Sequence, residues 1–153
     1  MFRCIPITAE VADRFRAGYD DRGNTLRRMV DTAGRFPCRV CLCNAVPGEA
    51  MLLGSYNLPK PQGIYWTPSP IFVHERKCEA FDAADTVPDI IRNCLVSVRA
   101  YDADGMCLYD LGHVAEGPEI DPSLTRAMTD ERTSFVNVHT AKPGCLLCRV
   151  EKA

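Results

Sequence analysis

Histidine and cysteine carry most of the chemistry this sequence can offer. Nine cysteines and three histidines occur in 153 residues. Two His–Cys pairs stand out by spacing, His74-x₃-Cys78 and His139-x₅-Cys145. Each histidine closes an apolar run and each cysteine follows a short loop or turn, so both pairs, with Cys41, can be drawn to one edge of a sheet. Imidazole and thiolate together ligate zinc, iron or copper. The same two groups serve as base and nucleophile, and a thiol beside a protonated imidazole becomes reactive at neutral pH because its pKa falls. The candidates for catalysis are His74, Cys78, His139 and Cys145; for a metal they are those four with Cys41. The competing expectation is that the histidines cap strand ends through ring hydrogen bonds while the cysteines fill apolar space. The second is favoured, so no cofactor is expected, zinc or another transition metal being the exception these residues would allow. His113, in Leu-Gly-His-Val, has no partner in sequence.

Two more pairs have the formal spacing of zinc ligands, Cys38-x₂-Cys41 and Cys145-x₂-Cys148. Arg39-Val40 and Leu146-Leu147 lie between the thiols, and neither is a turn sequence. Read as strands, these segments place residues i and i+3 on opposite faces, so the expectation is that neither pair shares an ion. Other signatures are missing: no Gly-rich phosphate loop, no Gly-x-Ser-x-Gly elbow, no His-Glu-x-x-His. Asp102-Ala-Asp104-Gly105 begins like a calcium loop, but its twelfth position is Val114 rather than Glu. It reads as a turn.

The elements that must position these residues follow from pattern. Residues 38–57 read as two extended segments joined by a Pro47-Gly48 turn, the hairpin around which the chain is organised. Before it come a short strand over 2–7 and a helix capped by Thr8 with Val11 and Phe15 on one face. Residues 19–36 then read as a loop with a helical turn near Leu26 to Val30. Four prolines in residues 57–70 exclude a helix or a central strand and predict a long loop with Tyr65 and Trp66 as anchors. Ile71 to His74 is a short strand, Asp85 to Asn93 a brief helix, and Asp121-Pro122 opens a third helix. Two hairpins complete the chain: 94–101 with 106–111, and 134–140 with 145–151. No β-α-β alternation occurs, so the fold class is α+β, a mostly antiparallel sheet of six or seven hairpin-built strands with about three short helices.

A chain of this length reads as a single domain, residues 1–153, large enough to fold without a staple. Its formal charge of −2 and sheet faces poor in aromatics argue against nucleic acid. Residues 1–40 hold eight Arg against five acids, which reads as a solvated surface. No run approaches a membrane span and the first 15 residues do not read as a secretory signal. A cytoplasmic location with reduced thiols is therefore expected. Partners are unspecified; a homodimer through an exposed strand edge is one arrangement such a sheet allows.

Four blocks, CRVCLCNAVPGEAMLLGSYN, PIFVHERKC, VRAYDADG and VNVHTAKPGCLLCRVE, resemble in this order those of the bacterial family called domain of unknown function 1203, over most of the chain. The family brings no assigned activity. The resemblance directs attention to Arg39, Cys41, Pro47-Gly48, His74, Cys78, His139, Gly144 and Cys145, and leaves Cys38, Cys43 and Cys148 as extras. Arg39, Cys41 and Trp66 are the candidates for contact with a ligand. The leading functional expectation is a non-enzymatic binding or interaction domain; the alternative is a small thiol- or metal-dependent enzyme built on the His/Cys residues.

Overall fold

In a computed structural model of residues 1–153, the elements run β1 (Phe2–Ile5), α1 (Ala9–Arg16), β2 (Arg27–Asp31), β3 (Glu49–Asn57), β4 (Pro68–His74), α2 (Asp89–Arg92), β5 (Val96–Tyr101), β6 (His113–Ala115), α3 (Ile120–Thr129), β7 (Phe135–Thr140) and β8 (Leu146–Lys152). They form an α+β fold with two antiparallel sheets, of order β1-β8-β7-β5-β6 and β2-β3-β4.

Alternation explains the larger sheet. Val96, Val98 and Ala100 of β5 and Val136 and Val138 of β7 face one core with Leu124 and Ala127 of α3. The opposite face carries the polar series, with Ser97 across from His139 and Arg99 across from Asn137. A bulge in β7–β8 shifts the register, so that Val138 pairs with Cys148 but His139 with Leu146. Leu147 then joins this core while Leu146 enters a second one, and β8 thereby serves both.

The second core lies between α1 and the smaller sheet, where Phe15, Met51, Ile71 and Val73 are fully buried. Thr8 caps α1 by accepting the Val11 amide, a contact worth about 1 kcal/mol. α1 can lie close over β3 because position 54 is Gly: a Cβ there would stand 2.3 Å from Leu26 Cδ2 and 3.0 Å from the Phe15 ring. Pro68 and Pro70 are tolerated because β4 is an edge strand. The Leu146 amide donates to Ser69 Oγ at 2.9 Å and ties β8 to β4.

Three sequence expectations are corrected. Residues 27–31 form strand β2 rather than a helical turn, set up by buried Asp20, which accepts the Arg22 and Asn24 amides and folds the preceding turn. The return strand at 106–111 shrinks to a bridge between Cys107 and Tyr101 and a 3₁₀ turn at Tyr109–Leu111, and β6 pairs with β5 instead. Residues 38–45 are no strand partner of β3; that role belongs to β2 and β4. No helix is long and apolar enough to cross a membrane.

Candidate metal centre

The segment that strand periodicity misreads is a knuckle. The Cys38 amide donates to the Cys43 carbonyl at 3.0 Å, Pro37 and Asn44 pair as an isolated bridge, and residues 39–41 turn between them. Leu42 takes a left-handed backbone, φ 53°. That costs a β-carbon-bearing residue about 1–2 kcal/mol, offset by complete burial of its side chain, worth roughly 1.5–3 kcal/mol. The tight turn brings Cys38 and Cys41 to the same side. The Val40 amide donates to Cys38 Sγ at 3.5 Å, a contact that stabilises a thiolate.

Buried Arg39 brackets the knuckle to the rest of the protein. Its Nε donates to the Leu146 carbonyl at 2.7 Å, its other arm donates to the Pro37 carbonyl, and its amide donates to Phe72. Burial pulls its pKa down to about 10, partly countered by the surrounding cysteines. Arg39 therefore supports the site rather than presenting an open ligand contact.

β4 supplies the other half. His74 ends the strand and Cys78 follows four residues later. Arg16, the last residue of α1, donates to the His74 carbonyl at 3.3 Å and to the Arg76 carbonyl at 3.4 Å, pinning the connecting loop. One ligand atom from each of Cys38, Cys41, His74 and Cys78 lies within 4.8 Å of every other. Two of the six separations are 3.8 Å (Cys38 Sγ to Cys78 Sγ) and 3.6 Å (Cys41 Sγ to His74 Nδ1). A tetrahedral zinc with ~2.3 Å bonds to sulfur separates its ligands by about 3.8 Å. The donor set is Cys₃His with paired spacings Cys-x₂-Cys and His-x₃-Cys.

The far side of the imidazole is also furnished. His74 Nε2 stands 3.2 Å from Glu49 Oε2. The Val46 amide and Arg76 hold the Glu49 carboxyl below its usual range, so the carboxylate accepts and Nε2 carries the proton. Nδ1 then offers its lone pair to the sulfur side, as in a carboxylate–histidine–metal arrangement. Without a metal, the group shares protons tightly. Hydrogen bonds from the Cys41 thiol and His74 pull the Cys38 thiol well down against the cost of burial. The same Cys38 thiolate pushes Cys41 and His74 up.

Of the residues singled out in sequence, Cys41, His74 and Cys78 come together, joined by Cys38. His139 and Cys145 are outside this group. Buried His139 donates through Nδ1 to the Gly144 carbonyl at 2.9 Å and lines a separate pocket. Trp66 holds its own loop by donating to the Leu58 carbonyl; its neighbour Tyr65 reaches that pocket. Sequence reasoning missed Glu49 altogether and set Cys38 aside. The signal for Cys38 was the Cys-x₂-Cys spacing itself, overruled by treating the segment as a regular strand.

An α+β domain of two antiparallel sheets, with a Cys₃His cluster at the end of an edge strand, is the class of protein these features define. Residues 35–152 match the family model described as Protein of unknown function (DUF1203), and the chain belongs to that family. No significant match was found among curated proteins or solved structures.

Proposed function

We propose that this is a non-enzymatic, zinc-binding domain in which Cys38, Cys41, His74 and Cys78 hold one structural zinc ion. The observation that carries the reading is the mutual proximity of the four ligand atoms, all within 4.8 Å. Four protein ligands fill a tetrahedral shell, whereas catalytic zinc keeps one position for water or substrate. Thiolate-rich donors select zinc over the harder divalent ions. The ion joins the knuckle to the end of β4, so binding adds directly to folding stability. A bacterial cytoplasmic setting, where thiols stay reduced, fits nine cysteines without a disulfide.

A second reading has its own observation: Cys41, His74 and Glu49 are aligned as nucleophile, base and orienting carboxylate. It leaves Cys38 and Cys78 without a role, and the Cys41 pKa is raised rather than lowered. Metal analysis after zinc reconstitution and desalting decides. About one zinc per chain is expected, with loss of stoichiometric binding in Cys38→Ser and in Cys78→Ser. Less than about one tenth of an equivalent in the unaltered protein overturns the zinc reading.

A further inference from the structure

The polar face of the larger sheet is the floor of a pocket. Ser97 and Arg99 of β5 and Asn137 and His139 of β7 alternate toward it. Residues 58–67 arch over one side, fixed where Asn137 Nδ2 donates to the Lys60 carbonyl at 3.0 Å. Residues 107–114 form the other side, and the arches meet where the Tyr65 and Tyr109 hydroxyls stand 2.5 Å apart. The open cleft between them is about 700 Å³, within the ~300–1,000 Å³ of small-molecule sites. Thr67, before β4, lines it while His74 ends β4. Seven residues of extended chain, about 23 Å, separate the two, so the pocket is a different site from the metal centre.

Charge and hydrogen bonding define its occupant. None of the 16 lining residues is acidic. Half-buried Arg99 forms no ion pair; its Nε–H goes to Ser97 Oγ at 3.2 Å, the guanidinium lies beside the Tyr101 hydroxyl, and its terminal amino groups present a fork to the pocket. That fork matches a carboxylate in bidentate geometry. His139 spends its Nδ1 proton on Gly144, so Nε2 is an acceptor. Tyr65 packs edge-on against Tyr101 and Tyr109, centroids 6.2 Å apart in each case, and these rings form aromatic walls. Arg99 and His139 are diagonal neighbours across the strand pair, about 7–8 Å apart at the backbone. That span suits a one- or two-ring acid with a donor at its other end.

We infer that this pocket binds a small aromatic carboxylate, with the carboxylate on Arg99, the ring against the wall of tyrosines, and any ring donor directed to His139. The zinc-loaded full chain is titrated calorimetrically with indole-3-acetate, 4-hydroxyphenylacetate and 1-naphthoate, and with indole-3-acetamide and 4-hydroxyphenylacetamide as neutral counterparts. At least one acid is expected to bind saturably with Kd below about 1 mM. Its neutral counterpart is expected to bind at least about tenfold more weakly, as is the acid to Arg99→Gln; 1-naphthamide serves if 1-naphthoate is the binder. No saturable binding by any of the acids up to about 5 mM overturns the inference. So does equal affinity of acid and amide, or undiminished binding by Arg99→Gln. Where Arg99→Gln lowers the melting temperature, the acid–amide comparison on the unaltered protein decides alone. Zinc stoichiometry, measured on the same samples, reports the metal centre independently.

Discussion

Glu49 and Cys41 stand on opposite sides of the His74 ring: Glu49 Oε2 is 3.2 Å from Nε2, and Cys41 Sγ is 3.6 Å from Nδ1. The ring is thus held in one orientation, with its Nε2 proton toward the carboxylate, before any ion arrives. The carboxylate is itself fixed by the Val46 amide at 2.8 Å and by Arg76 Nε at 2.8 Å. The turn that carries Glu49 is Pro47-Gly48, where Gly48 adopts φ 92° and its amide donates to the Asp31 carbonyl. The turn that sequence reading placed at the middle of a hairpin therefore positions a partner of the candidate ligand histidine.

Glu49→Gln tests that relationship. The amide keeps the shape of the side chain but removes the charge that orients and polarises the ring. Zinc affinity, measured by competition with a chromophoric chelator, is expected to fall about 10–100-fold while stoichiometry stays near one. Affinity equal to that of the unaltered protein would show that the Glu49–His74 contact does not tune the centre.

Arg16 makes a weaker, more distant contribution. Its two donations to carbonyls of the His74–Cys78 loop span 3.3 and 3.4 Å, so each is a modest bond. Arg16→Ala should loosen the loop by about 1 kcal/mol and speed zinc release to excess chelator a few-fold, without changing how much zinc binds. A release rate indistinguishable from that of the unaltered protein removes Arg16 from the support of the site.

Arg39 should matter to stability more than any other residue of the knuckle. It is 2% exposed, and its guanidinium bridges the Pro37 and Leu146 carbonyls. With a pKa near 10 it stays charged at neutral pH. Arg39→Met fills similar space but leaves both carbonyls without that donor. Denaturant unfolding is expected to show a loss of roughly 3 kcal/mol. A change below about 0.5 kcal/mol, the range of surface substitutions, contradicts the role.

Periodicity was informative wherever a strand or helix buries one face. The series Val96/Val98/Ala100, the helix from Thr8 and the terminal hairpin all follow from it, and they fix the antiparallel α+β character. It failed where one residue departs from the repeat. Leu42 in a left-handed conformation converts Cys-Arg-Val-Cys-Leu-Cys from an apparent strand into a knuckle, and no glycine marks the place. The convergence of residues 38–41 with 74–78 rests on a parallel bridge between Cys38 and Phe72, a long-range contact without a local signature. Ser97 and Arg99 mark the polar face of β5. The arches over them come from segments whose prolines and turns say only that they are loops.

His139 offers a pH test away from the metal ligands. Burial, then the charge of Arg99, lowers its pKa from 6.5 to about 4, opposed by the bond to Gly144 and helped by Arg39. The unfolded chain therefore takes up this proton first as pH falls. The neutral ring's contribution is complete above about pH 6.5 and is lost progressively between there and about pH 4, a change of roughly 3 kcal/mol over the whole window. His74 has the opposite sign, its pKa being raised by Cys38 and Glu49, so the test is a difference between proteins rather than one curve. His139→Gln retains a donor for the Gly144 carbonyl and has no proton to gain. Denaturant unfolding from pH 7.5 to 4.5 should show the unaltered protein losing more stability than His139→Gln, with the gap opening below about pH 6.5. Parallel curves for the two proteins would mean that His139 takes up its proton equally readily in the folded state, against the burial described for it.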